Sequence, residues 1–174
     1  MKRFLTCTLV LSVVLVALPI SAAEPVVIYL VRHAEKVDAG LAEDPKNPRL
    51  SEKGQERADE LARLLGEAGV TRIFSTDYLR TVQTVEPTGE ALGIEIELYD
   101  PHRLEAFAKS LRCLPGRHLV SGHSNTTPAL VEHLGGDPGL PITESTEYDR
   151  LYVLFIESEE TTTVTLRYGS SSKR

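Results

Sequence analysis

Three kinds of apolar pattern follow one another along the chain, and each predicts a different element. Val26 to Val31 (VVIYLV) is apolar at nearly every position, as in a strand buried on both faces. Residues 34–50 are polar and carry Gly40, Pro45 and Pro48, which predicts a loop. Beyond Ser51, a natural N-cap, Ala58, Leu61, Ala62, Leu64 and Leu65 recur at helical spacing. That helix is expected to reach about Ala68 and to end at Gly69. Val70 to Phe74 reads as a second, short strand. A helix is expected from about Asp77, interrupted or ended near Pro87. Ile94, Ile96 and Leu98 alternate with glutamates, as in a strand with one solvated face. Asp100-Pro101 is expected to open a helix to about Leu114, with proline at its first position.

His118 to Ser121 reads as a fourth strand, Gly122 to Thr127 as a turn, and Pro128 to Leu134 as a helix. A Gly/Pro-rich loop from Gly135 to Glu147 follows, and Leu151 to Ile156 with Thr163 to Tyr168 predict a closing hairpin. Strands alternating with helices predict a single-domain α/β three-layer sandwich, with a mainly parallel central sheet and helices on both faces. In such sheets, sites form at the carboxyl ends of the strands.

The N-terminal segment has a different composition. Lys2 and Arg3 precede an almost wholly apolar run from Phe4 to Leu18, and Pro19 and Ser21-Ala22-Ala23 follow. This is the pattern of a secretory signal peptide over residues 1–23, and the run is shorter than the ~18 apolar residues of a membrane span. The sequence therefore predicts an exported, periplasmic domain over residues 24–168, a disordered tail over 169–174, and no stable membrane anchor. Cys7 would leave with the signal. Cys113 would then be the only cysteine, without an internal disulfide partner, and it is read as a small buried hydrophobe. The net charge of −6 argues against nucleic acid as a partner. The sequence says nothing of oligomeric state.

Polar residues gather where the strands end. Arg32-His33 follows the first strand. Ser75-Thr76 follows the second, with Arg80 one turn into the next helix. Asp100 follows the third, and Gly122-His123 the fourth. One such placement is commonplace, but four in equivalent places mark one edge of the sheet as a candidate site.

These residues fall in three blocks: Arg32-His33-Ala34-Glu35, Ser75 to Thr84 (STDYLRTVQT), and Ser121 to Thr126 (SGHSNT). In that order they resemble the histidine phosphatase superfamily, which includes the cofactor-dependent phosphoglycerate mutases. The middle block has one more residue between Ser75 and Arg80 than the family pattern. The short chain with an export signal is similar to the small periplasmic branch, some members of which act on phosphorylated lipopolysaccharide sugars. The resemblance implies a phosphomonoesterase acting on a small phosphorylated substrate, with His33 as the nucleophile. Arg32, Arg80 and His123 would stabilise the transferring phosphoryl group, and Ser75 and Asn125 would touch phosphate or cap turns. Glu35 is expected to order its loop.

The chemistry suits these residue types. A neutral imidazole attacks phosphorus well, and always-charged, fork-shaped guanidinium groups match the charge on the equatorial oxygens. The leaving alkoxide needs a proton. In one branch of the family a Glu after the third strand supplies it, and in another an Asp directly after the second catalytic His. Here Ser124 stands after His123, which leaves Asp100, or Glu105 a turn later, as the acid. Asp100 has a second reading as a helix cap. Some small members acting on phosphohistidine have no acid. No zinc-type Cys/His spacing, calcium loop or nucleotide loop is present, so neither metal nor cofactor is expected. A mutase that returns the phosphoryl group to its product, or an inactive phosphate-binding module, remain the alternatives.

Overall fold

The computed structural model describes residues 25–158 and 160–171, so the signal segment 1–23 lies outside the described residues. Alternation within the first strand, β1 (Val26–Arg32), sets the layers. Val26, Ile28 and Leu30 pack into one core, while Val27 and Val31 pack into another on the opposite face. The first core lies under α3 (Leu104–Arg112) and α4 (Thr126–His133), through Ala108, Leu111, Leu130 and Val131. The second lies under α1 (Glu52–Leu65) and α2 (Leu79–Leu92), through Leu61, Leu65 and Val85. Helices on both faces of one sheet are the expected three-layer sandwich.

The remaining strands are β2 (Arg72–Ser75), β3 (Ile96–Leu98), β4 (Gly116–Gly122), β5 (Arg150–Glu157) and β6 (Glu160–Arg167). The six-stranded sheet has the order β3-β2-β4-β1-β5-β6. The first four of these are parallel, and β5 and β6 form the closing hairpin, with β5 antiparallel to β1. Register brings the carboxyl ends level: Arg32 pairs with Gly122, and Ser75 pairs with both Ser121 and Leu98.

Several expected boundaries move. Ser51 caps α1 as foreseen, its side chain accepting from Gly54 N, but the helix ends at Leu65 rather than Ala68. Pro87 lies inside α2 instead of ending it. A proline costs about 3 kcal/mol in a helix interior. Here the buried face runs on to Thr88 and Gly89, and Gly93 closes the helix in the left-handed conformation. Ile94 N then bonds Gly89 O, so Ile94 belongs to the helix stop and β3 shrinks to three residues. Asp100-Pro101 does not open α3. The Asp100 carboxylate accepts from His102 N and its carbonyl from Arg103 N, which makes a turn before the helix begins at Leu104. Cys113 is exposed rather than buried, because it is the C-cap of α3, two residues past the last buried position, Leu111. Of the expected tail, Gly169 to Ser171 are described, and Arg57 donates to the Ser170 carbonyl at 2.9 Å.

Candidate active site

A cleft of about 470 Å³ opens at the carboxyl ends of the parallel strands. It is lined by His33, Lys36, Tyr78, Arg80, Pro101, His102, His123, Ser124, Asn125, Thr126 and Glu144. Residues that follow β1, β2, β3 and β4 thus meet where the strand-end rule places a site.

His33 is buried directly after β1, and its backbone N–H continues the ladder to Gly122 O at 2.9 Å. Its Nδ1 lies 2.8 Å from the Ala34 carbonyl. A carbonyl only accepts, so Nδ1 carries the proton and Nε2 keeps its lone pair. Burial, with Arg32, Arg80 and His123 nearby, pushes the imidazole down to about 3. At neutral pH His33 is therefore a neutral imidazole with a free nitrogen.

The loop after His33 is fixed from several directions. Ala34 N donates to Thr84 Oγ1, and Leu50 N to Gln83 Oε1, so the Arg-Thr-x-Gln-Thr block braces the loop after His33. Glu35 takes two hydrogen bonds of 2.8 Å from Arg57, as the reading of Glu35 as a loop-ordering residue requires. Its carbonyl also accepts from Ser51 N and Ser51 Oγ at the head of α1.

His123 stands edge-on to His33, with ring centroids 5.6 Å apart. Its Nε2 lies 3.0 Å from Thr76 Oγ1, which is 2.9 Å from Thr81 Oγ1. Thr81 donates in turn to backbone carbonyls of Thr76 and Tyr78. Read backwards from those carbonyls, every hydroxyl donates onward and His123 Nε2 must supply the first proton. Nδ1 then faces Arg80 Nη2 at 3.5 Å as an acceptor. Burial, Arg80 and Arg32 push His123 down to about 4, so it is neutral before a dianion arrives. The Arg80 guanidinium lies over the Tyr78 ring at 4.4 Å, and the Tyr78 ring also meets the His123 edge at right angles.

Arg32 takes a different place from the one expected. It is 2 % exposed and is not among the cleft-lining residues. Its Nη atoms donate to the carbonyls of Glu147 at 2.8 Å and Glu144 at 2.7 Å, and its plane lies 4.1 Å over Tyr148. It ties the 136–149 loop down beside His33, while its buried Nε has no hydrogen-bond partner among the described residues. The same loop is held from below, where the Glu147 carboxylate joins Arg150 and Arg167, and Asp149 joins Arg167.

Of the other expected residues, Asn125 lines the cleft, but Ser75 does not. Ser75 is fully buried and donates to the Thr76 carbonyl. The sheet pleat turns Ser75 inward, and its neighbour Thr76 reaches His123 instead. Asp100 lies on the far side of its turn, beside Arg103 and Phe107 in a separate depression. Glu105 pairs with Lys109 on the exposed face of α3. Neither carboxylate enters the cleft. The site residues not singled out from sequence include Lys36, Thr76, Tyr78, His102, Glu144 and Tyr148. Two of these stood inside the recognised middle block, and Glu144 and Tyr148 sit in the loop beside the mouth. His102 carried no motif signal.

Comparison with known proteins agrees with this architecture. Residues 28–105 match the sequence profile of the histidine phosphatase superfamily, branch 1. The chain is 37 % identical over 84 residues to the probable phosphoglycerate mutase GpmB of Escherichia fergusonii, covering 45 % of this chain and 37 % of that one. It is 33 % identical over 100 residues to the Escherichia coli protein of the same description, covering 54 % and 43 %. The match thus spans less than half the length of these relatives. Among solved structures, the protein histidine phosphatase SixA complexed with tungstate superposes with a TM-score of 0.64 at 20 % identity, covering 81 % of this chain and 96 % of that one. A phosphoglycerate mutase from Bacillus anthracis gives 0.62 at 13 %, covering 83 % and 93 %. At such identities the superpositions establish the shared fold.

Proposed function

Because the chain belongs to the histidine phosphatase superfamily, we propose that it is an exported, metal-independent phosphomonoesterase working through a phosphohistidine on His33. The observation that carries this reading is the His33 imidazole, neutral and protonated on Nδ1, so that Nε2 is free at the cleft. Nε2 attacks the phosphorus of a small phosphorylated substrate, and water then displaces the phosphoryl group from nitrogen. Arg80 meets the phosphoryl oxygens, and Arg32 adds positive charge from behind, with its Nε as an uncommitted donor. A bound dianion would favour protonation of His123, which then becomes a further donor.

Hydrolysis rather than return of the phosphoryl group to product is supported by how little chain is available to cover the cleft among the described residues. Between β3 and β4 the chain makes one turn and the nine-residue α3 with short joining segments, and the 136–149 loop is pinned to the body. The export part of the reading rests on the pattern of residues 1–23. The test is turnover of p-nitrophenyl phosphate by residues 24–174. Wild type should turn over and carry an acid-labile, base-stable phosphate label on His33, and His33→Ala should do neither. Full activity in His33→Ala would overturn the reading.

A further inference from the structure

With Asp100 and Glu105 outside the cleft, the proton for the leaving group needs another source. Four side chains that line the cleft and carry a titratable proton are neither the nucleophile nor His123 or Arg80: Lys36, Tyr78, His102 and Glu144. Tyr78 is committed as the platform beneath Arg80. Glu144 acts electrostatically on both Arg32 and Arg80, so its carboxylate is engaged with the cations of the site. The backbone of Lys36 belongs to the loop after His33, at the β1 end of the site, where it bridges to Leu50. His102 stands at the other end.

Strand order makes that last point geometric. Along the sheet edge the sequence of groups is His33 after β1, His123 after β4, Arg80 beyond β2 and His102 beyond β3. The phosphate-binding cation lies between two imidazoles at opposite ends of the row. In-line displacement at phosphorus needs such a layout, with the nucleophile on one side and the leaving oxygen on the other. The turn is also built to present His102. The Asp100 carboxylate accepts from His102 N at 2.8 Å, and Pro101 restricts the backbone before it.

We propose that His102 is the general acid and base of this enzyme. The inference rests on the phosphohistidine reading of His33. In the first step the His33 Nε2–phosphorus bond forms and the phosphorus–oxygen bond to the alcohol breaks. The proton on the His102 imidazolium goes to the departing oxygen, which leaves as neutral alcohol. In the second step the neutral His102 takes a proton from water as its oxygen attacks phosphorus. The nitrogen–phosphorus bond breaks, and inorganic phosphate and the starting imidazolium are regenerated. Imidazole gives and takes a proton near neutral pH more readily than any other side chain, so one residue can serve both steps.

The experiment compares wild type, His102→Gln and Asp100→Asn on p-nitrophenyl phosphate and on an alkyl phosphate whose alkoxide must be protonated to leave. A general acid contributes about 10²–10⁴-fold. His102→Gln should therefore lower the alkyl-to-aryl rate ratio by about 10²-fold or more, and Asp100→Asn, which keeps the turn, should leave that ratio near wild type. In His102→Gly, added imidazole should restore alkyl ester turnover, which no purely structural role would produce. An unchanged ratio in His102→Gln, or a fall in the ratio for Asp100→Asn alone, overturns the assignment of His102 while leaving His33 in place. Wild-type protein without His33-dependent turnover overturns both.

Discussion

Gly54, in the first turn of α1, lies so close to Glu35 that a Cβ placed on it would collide with the Glu35 carbonyl oxygen. The head of α1 and the loop that follows His33 are therefore in backbone contact, reinforced by Ser51 and by the Arg57–Glu35 pair. The geometry of His33 is set from two residues away by a helix that does not line the cleft.

This contact reverses an ordinary sign. Gly→Ala inside a helix normally stabilises by up to about 1 kcal/mol. At Gly54 it should destabilise by about 1–3 kcal/mol through overpacking against main chain. It should also lower kcat in the folded fraction, because the displaced Glu35 backbone carries Ala34 and the acceptor for His33 Nδ1 with it. Chemical denaturation and p-nitrophenyl phosphate kinetics on the same sample check both. A stabilised Gly54→Ala enzyme would show that the loop yields freely.

His33 couples stability to pH. Its ordinary value of 6.5 falls to about 3 in the folded chain. Between these values the unfolded chain binds the extra proton, so stability attributable to this site rises with pH and is lost as pH falls below about 6.5. At pH 5 the site alone costs about 2 kcal/mol relative to pH 8. His33→Gln removes the titration, so its loss of stability from pH 8 to pH 5 should be smaller than wild type's by about that amount. Parallel pH profiles for the two proteins would contradict the buried neutral imidazole.

The layers were legible because β1 is apolar on both faces and α1 is apolar on one, and burial writes those two periods directly into sequence. The strand-end cluster was legible because Arg32-His33, Arg80 and His123 stand just after apolar runs. Asp100 was misplaced for a physical reason: Asp-Pro supports a helix start and an Asx turn equally well. Only the three-dimensional path after β3 shows which side chain the turn presents. Ser75 and Thr76 differ by one position in a pleat, and one position decides which face a side chain joins. The role of Arg32 as a loop anchor was invisible because its acceptors, the carbonyls of Glu144 and Glu147, lie more than a hundred residues away and carry no side-chain signature.

Thr76 and Ser75 should consequently behave oppositely. Thr76→Val removes the acceptor for His123 Nε2 and frees the ring to rotate or change tautomer. A hydrogen bond of this kind contributes about 1 kcal/mol, so kcat/KM should drop about fivefold to tenfold with little loss of stability. Ser75→Ala removes a buried donor to the Thr76 carbonyl, which should cost stability at the same order and leave KM unchanged. A raised KM in Ser75→Ala alone would restore Ser75 as a phosphate contact.

The last prediction concerns metals, and it follows from the charge of the cleft rather than from any ion. The cations Arg80 and Lys36 line the cleft against a single carboxylate among the described lining residues, Glu144, which itself acts on Arg32 and Arg80. A hard divalent cation prefers several oxygen ligands and is repelled by such cations, whereas a phosphoryl dianion is attracted by them. The same groups suit the five-coordinate geometry that vanadate adopts. Turnover should therefore be unchanged by EDTA, and vanadate should inhibit competitively with substrate. Arg80→Ala should weaken vanadate and substrate together, because the guanidinium meets the equatorial oxygens in both. Glu144→Gln should tighten vanadate several-fold, since it removes the one negative charge that competes for Arg80. Loss of activity on chelation, with recovery on adding a divalent ion, would show that the arginines do not carry the charge alone.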